Sequence, residues 1–180
     1  LFSDYKIVII VRDPRQWAAS YMNTTSTMYG PKNLRYRLGI NLFSPTLLGD
    51  MEYGEKWNAM NRFEKLCWAW QAIYSILLKE LGDEHVLLIK FEDIFLANNR
   101  YNELERLLIF LTTFPSRNFE YRITKGLLEN PINRSTGKEF PKWQHWDPAQ
   151  AKYLHSLCSP LMEKFGYGHE KQWLEMVQTA

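Results

Sequence analysis

A chain of 180 residues, 46% of them hydrophobic, is long and apolar enough for a single domain with a sizeable core. Its 22 basic and 20 acidic side chains leave a net charge of only +2, so no strong global field favours nucleic acid or an anionic membrane as a partner. No run approaches the ~20 apolar residues needed to cross a bilayer, so no membrane segment is expected.

Ile7 to Val11 is a continuous β-branched run, the pattern of a strand covered on both faces, as in a parallel sheet. Asp13 can N-cap a following helix, with Pro14 preset for its first turn. Arg12 therefore falls at the carboxyl end of a strand, and Ser20 about two turns into the next helix. In open α/β sheets ligands bind at that edge. A guanidinium there, with a hydroxyl on the adjoining helix, suits a dianionic phosphate. The same residues also fit an ordinary helix start beside a surface arginine. Further on, Lys32, Arg35 and Arg37 gather basic charge, either as a solvated loop or as help in holding an anion.

From about Asn23 to Asn61 the sequence predicts a long irregular loop, with turn signals at Gly30-Pro31, Ser44-Pro45 and Gly49-Asp50. Loops of that length often bind or cover ligands, and Tyr29, Tyr36, Phe43, Tyr53 and Trp57 would let this one partly pack. Asn61 and Glu64 form a capping-box pattern opening a helix to Leu81, with Gly82 as the stop. Its apolar stripe (Phe63, Leu66, Cys67, Trp70, Ile73, Tyr74, Leu77 and Leu81) reads as core. Val86 to Phe91 is a second strand, and a helix from about Asn102 to Thr113 turns Leu104, Leu107, Leu108 and Leu111 inward. Patterning fades from Phe114 to Trp146. Asp147-Pro148 with Gln150 then starts a helix through Leu154, Leu157, Leu161, Met162 and Phe165, which Gly166 ends. A short amphipathic segment, about Glu170 to Gln178, follows.

Cys67 and Cys158 fall on apolar helix faces and read as small core residues. The four histidines show no ligand spacing, so no metal site is expected. Two strands alone make a poor sheet, which favours a fragment whose remaining strands lie upstream. The helix–strand–helix order suggests a layered α/β domain.

Four landmarks share an order with one known family. They are Arg12 to Ser20, Phe91-Glu92-Asp93-Ile94, the leucine-rich helix ending Phe110-Leu111, and the loop Asn133 to Trp143 leading to Phe165-Gly166-Tyr167. Together they resemble the sulfotransferases that use 3′-phosphoadenosine-5′-phosphosulfate (PAPS), over roughly residues 5 to 167. The resemblance implies an α/β fold, a P-loop-like three-layer α/β/α with a mainly parallel sheet, incomplete at the N-terminus. It implies transfer of a sulfuryl group from PAPS to a hydroxyl or amine of a small-molecule or carbohydrate acceptor. Adenosine 3′,5′-bisphosphate would be the product, and no metal is required.

Carried over by position, Arg12 and Ser20 would bind the 3′-phosphate. Phe91 stands where the family has a tyrosine near the adenine; it has no hydroxyl to donate but can still stack on the base. Arg134, Lys138 and Lys142 would close over the nucleotide phosphates. Glu92 and Asp93 read better as local caps than as a general base. The family's phosphosulfate loop and catalytic base are expected upstream of Leu1, so no catalytic residue is assigned here and the isolated chain is expected to be inactive. Two other readings stay open. One is a P-loop kinase of a nucleoside or small metabolite, and the other is a non-enzymatic helical interaction module.

Overall fold

In a computed structural model of the chain, the structure describes residues 5–23, 44–80, 85–114, 117–118, 120–124, 126, 128–129 and 139–178. The contacts divide the chain into two compact units.

The first unit comprises residues 1–12 and 74–134. Its centre is a parallel pair, β1 (Ile7–Val11) and β2 (Val86–Lys90). The register runs without interruption from Ile7 opposite Val86 to Val11 opposite Lys90. Ile9, Val11 and Ile89 are buried, and the Tyr74 hydroxyl donates to the Ile10 carbonyl at 2.7 Å. The β-branched run does form a strand, but among the described residues it is not covered on both faces. Ile10 is 43% exposed, because its side chain points to the face opposite Ile9 and Val11.

The chain passes from β2 directly into a short helix, Phe91–Phe95, and this corrects a second expectation. Phe91 does not end the strand; it opens that helix. In chain order the helices are α1 (Pro14–Met22), α2 (Met51–Lys56), α3 (Arg62–Leu77), α4 (Phe91–Phe95), α5 (Arg100–Thr112), α6 (Pro148–Lys164) and α7 (Lys171–Gln178). In α4, Glu92 and Asp93 occupy the first turn, where negative charge complements the helix dipole. In α5, Leu104 is buried but Leu111 is 38% exposed, so the expected inward leucine face narrows. Lys6 Nζ donates to the Phe110 and Thr113 carbonyls, satisfying the carboxyl end of α5. Two-residue strands β3 (Thr113–Phe114) and β4 (Arg117–Asn118) pair antiparallel just after it.

The second unit comprises residues 13–73 and 135–180. In it α1 packs on α6, and α6 on α7. Its three predicted helix starts are realised. Asp13 accepts from the Arg15 amide at 2.9 Å; Asn61 and Glu64 bond reciprocally; Asp147 and Gln150 form a capping box. Within the expected loop, the described part holds a 3₁₀ turn at Thr46–Leu48 and the helix α2, capped by Asp50. Gly49 between them has φ of 74°, a left-handed turn that glycine adopts without a Cβ clash. Lys32, Arg35, Arg37, Tyr29, Tyr36, Phe43, Leu81 and Gly82 lie outside the described residues.

The core of this unit is aromatic. Phe63, Phe140 and Trp146 meet at centroid distances of 5.0 to 5.7 Å, and Trp70 packs edge-on to Phe165 at 6.2 Å. Cys67 and Cys158 are buried there as expected, the Cys158 thiol 3.5 Å from the Cys67 carbonyl, and burial pushes both thiols well above their usual pKa.

Arg15 is fully buried and makes two bidentate pairs. Nε and Nη2 donate to Asp13 at 2.9 and 2.6 Å; Nη1 and Nη2 donate to Glu170 at 2.8 and 2.7 Å. Trp143 and Trp173 lie 4.5 and 5.0 Å from the guanidinium carbon. Burial acts to lower the Arg15 pKa, but the bonds and charges of Glu170 and Asp13 together outweigh it and hold the group charged. The bond from Arg15 pulls the Glu170 carboxyl below its ordinary value.

Arg15→Met would leave Asp13, only 3% exposed, as an uncompensated buried carboxylate. The expected loss is about 3–5 kcal/mol in urea unfolding, and a change below about 0.5 kcal/mol, the range of an ordinary surface substitution, would contradict the role given to this cluster. The depressed pKa of Glu170 contributes stability that is complete above the unfolded carboxyl value of about 4.3 and is lost as pH falls through the folded value. Glu170→Gln should therefore flatten the acid limb of a thermal stability profile. An unchanged acid limb would show that the pair contributes nothing.

Candidate functional site

The level pairing of β1 and β2 decides what emerges at their carboxyl edge. Val11 lies opposite Lys90, so the next residue on each strand, Arg12 and Phe91, leaves the sheet side by side. The Arg12 guanidinium carbon sits 4.4 Å from the centroid of the Phe91 ring. Such a cation–π contact is worth about 0.5–2 kcal/mol depending on desolvation. Phe91 is itself fixed as the first residue of α4, and one turn later the Phe95 ring lies 4.5 Å from it, tilted by 35°. The edge thus presents a half-buried guanidinium held against an aromatic face, chemistry that suits a planar-donor contact to an oxyanion.

Ser20 belongs to the second unit, half-buried on the last turn and a half of α1. The end of that helix is fastened at two points. Arg62 Nη2 donates to the Tyr21 carbonyl at 2.6 Å. Asn23 Nδ2 donates to the Phe140 carbonyl at 2.7 Å, while the Phe140 amide donates back to Asn23 Oδ1 at 2.8 Å. Two residues beyond Phe140 is Lys142, exposed, at the start of a 3₁₀ turn (Trp143–His145) that packs on α1. Of the expected site residues the structure brings Arg12 and Phe91 into contact; Arg134 and Lys138 lie outside the described residues.

A family model for the sulfotransferase domain matches residues 1–166. The chain belongs to the sulfotransferase family. No curated protein and no solved structure matches it. Of the readings left open by the residues alone, the match selects a transferase that moves sulfuryl groups.

Two features of this sulfotransferase are missed by the sequence reading. The Asn23–Phe140 bridge joins residues 117 positions apart, and an asparagine at the start of a loop carries no mark of a distant partner. The Phe91–Phe95 contact did leave a mark, the i, i+4 spacing of a helix, but it becomes readable only when Phe91 is placed at a helix start.

Asn23→Ala removes both bonds to Phe140. The expected cost is about 1–3 kcal/mol, with faster hydrogen exchange concentrated at the Phe140 amide and the adjoining turn. Unchanged exchange there would mean the bridge does not hold the segment.

Proposed function

We propose that this sulfotransferase uses PAPS as sulfuryl donor and that the chain carries the 3′-phosphate half of the nucleotide site. The observation that carries the reading is the guanidinium of Arg12, held on Phe91 at the carboxyl edge of a parallel strand pair inside a sulfotransferase domain. That edge is the ligand edge of open α/β sheets, and the α/β character with its small parallel sheet supports a P-loop-like three-layer α/β/α arrangement.

The residue types suit the charge of the nucleotide. Arg12 supplies charge and parallel N–H groups for a dianionic 3′-phosphate, and Ser20, by its match to the family's motif, supplies a neutral donor. Lys142, with Arg134 and Lys138 earlier in the same loop, adds cations for the remaining phosphate charge. PAPS carries the sulfuryl group, and its transfer in line to a hydroxyl or amine of a small-molecule or carbohydrate acceptor needs a base to take the acceptor proton and cations to stabilise charge on the departing oxygen. Among this chain's residues the reading assigns nucleotide binding and no base. No metal enters it.

Arg12→Ala should weaken binding of adenosine 3′,5′-bisphosphate by about 2–4 kcal/mol, the range for removing one partner of a charged contact. Ser20→Ala should cost less, about 1 kcal/mol, since it removes a neutral donor. Titration calorimetry on the full natural chain measures both. Equal and negligible effects would overturn the site.

A further inference from the structure

We propose that Phe91 is a positioning residue, acting through Arg12 to set the preference for a 3′-phosphate, and not a stacking platform for the adenine; the inference rests on the nucleotide site proposed above. The Phe91 ring already has two close neighbours, one a cation and one aromatic. The Arg12 guanidinium lies over the ring at 4.4 Å, and the Phe95 ring approaches its centroid to 4.5 Å at a tilt of only 35°. A base stacks at comparable distances, so adenine would compete for the ring with these contacts.

The contact also does something specific for Arg12. Stacking uses the face of the guanidinium and leaves its N–H groups directed outward in the plane of the group. The Phe91 ring holds the Arg12 guanidinium at the strand edge, and the ring is set by the helix it opens. Parallel pairing levels the two residues, with Val11 opposite Lys90, and α4 begins at once after β2, so neither side chain hangs on a loop. Phe95 packs against the same ring while itself remaining 38% exposed.

The test compares two nucleotides on the full natural chain, adenosine 3′,5′-bisphosphate and adenosine 5′-phosphate, by titration calorimetry. Phe91→Leu, which keeps an apolar side chain but removes the π face, should weaken the bisphosphate about three- to tenfold, the size of a cation–π contact, and leave the 5′-phosphate unchanged. Phe91→Tyr should behave as the parent. In an Arg12→Ala background Phe91→Leu should have no further effect. If Phe91→Leu does not fold, as judged by thermal unfolding, Phe91→Met serves the same comparison. Equal weakening of both nucleotides would show that the ring touches the base and would overturn the inference. So would an intact 3′-phosphate preference in Phe91→Leu when Arg12→Ala abolishes it. If Arg12→Ala itself leaves the preference intact, the proposed nucleotide site fails, and the inference with it.

Discussion

Everything assigned to the strand edge depends on one constraint, the in-register parallel pairing of β1 and β2. Because side chains alternate faces along a strand, a slip of one residue would turn Arg12 to the other side of the sheet and separate it from Phe91. Burial resists that slip: Ile9, Val11 and Ile89 are within 3% of full burial, whereas Ile10 between them is open. The Tyr74 hydroxyl on the Ile10 carbonyl adds a fixed point from another element. A hydrophobic pattern thus decides where a charged group stands.

The second unit solves a similar problem with charge. The helix α1 must start at one residue if Ser20 is to face one direction, and a local cap alone is worth only about 1 kcal/mol. Here the capping carboxylate of Asp13 is also held by a buried guanidinium, which a second carboxylate, Glu170, and two indole rings hold in turn. Buried ion pairs gain little net stability because desolvation opposes them, but breaking one is costly. Arg15 therefore acts against alternative helix starts. Lysine would not replace it, since a single ammonium cannot make two forked pairs and stack at once.

Local chemistry was legible in the sequence and distant pairing was not. Asp13, Asn61 with Glu64, and Asp147 with Gln150 announce helix starts because a cap and its donor lie within three residues. The β-branched run announces β1 for the same local reason. The switch at Phe91 has no such mark. Lys90 caps α4 without a side-chain bond, and neither glycine nor proline separates strand from helix, so the apolar residues read as one continuous strand. Arg15 and Glu170 are 155 positions apart, and each alone looks like a surface charge. At the strand edge, the place of Arg12 just past β1 was legible from the β-branched run. Its partner became visible only through the register, because what matters about Phe91 is the residue opposite the one before it.

The proposed function has this sulfotransferase read the 3′-phosphate of an adenine nucleotide without a metal. Competition binding of adenosine 3′,5′-bisphosphate, adenosine 5′-phosphate and ATP to the full natural chain, with and without magnesium, tests it most directly. The account predicts that the bisphosphate binds most tightly, by at least about tenfold over the 5′-phosphate, the ~1.4 kcal/mol that one charge-assisted contact supplies, and equally well in chelator. Equal binding of the two adenosine phosphates, or tighter binding of ATP that requires magnesium, would contradict it.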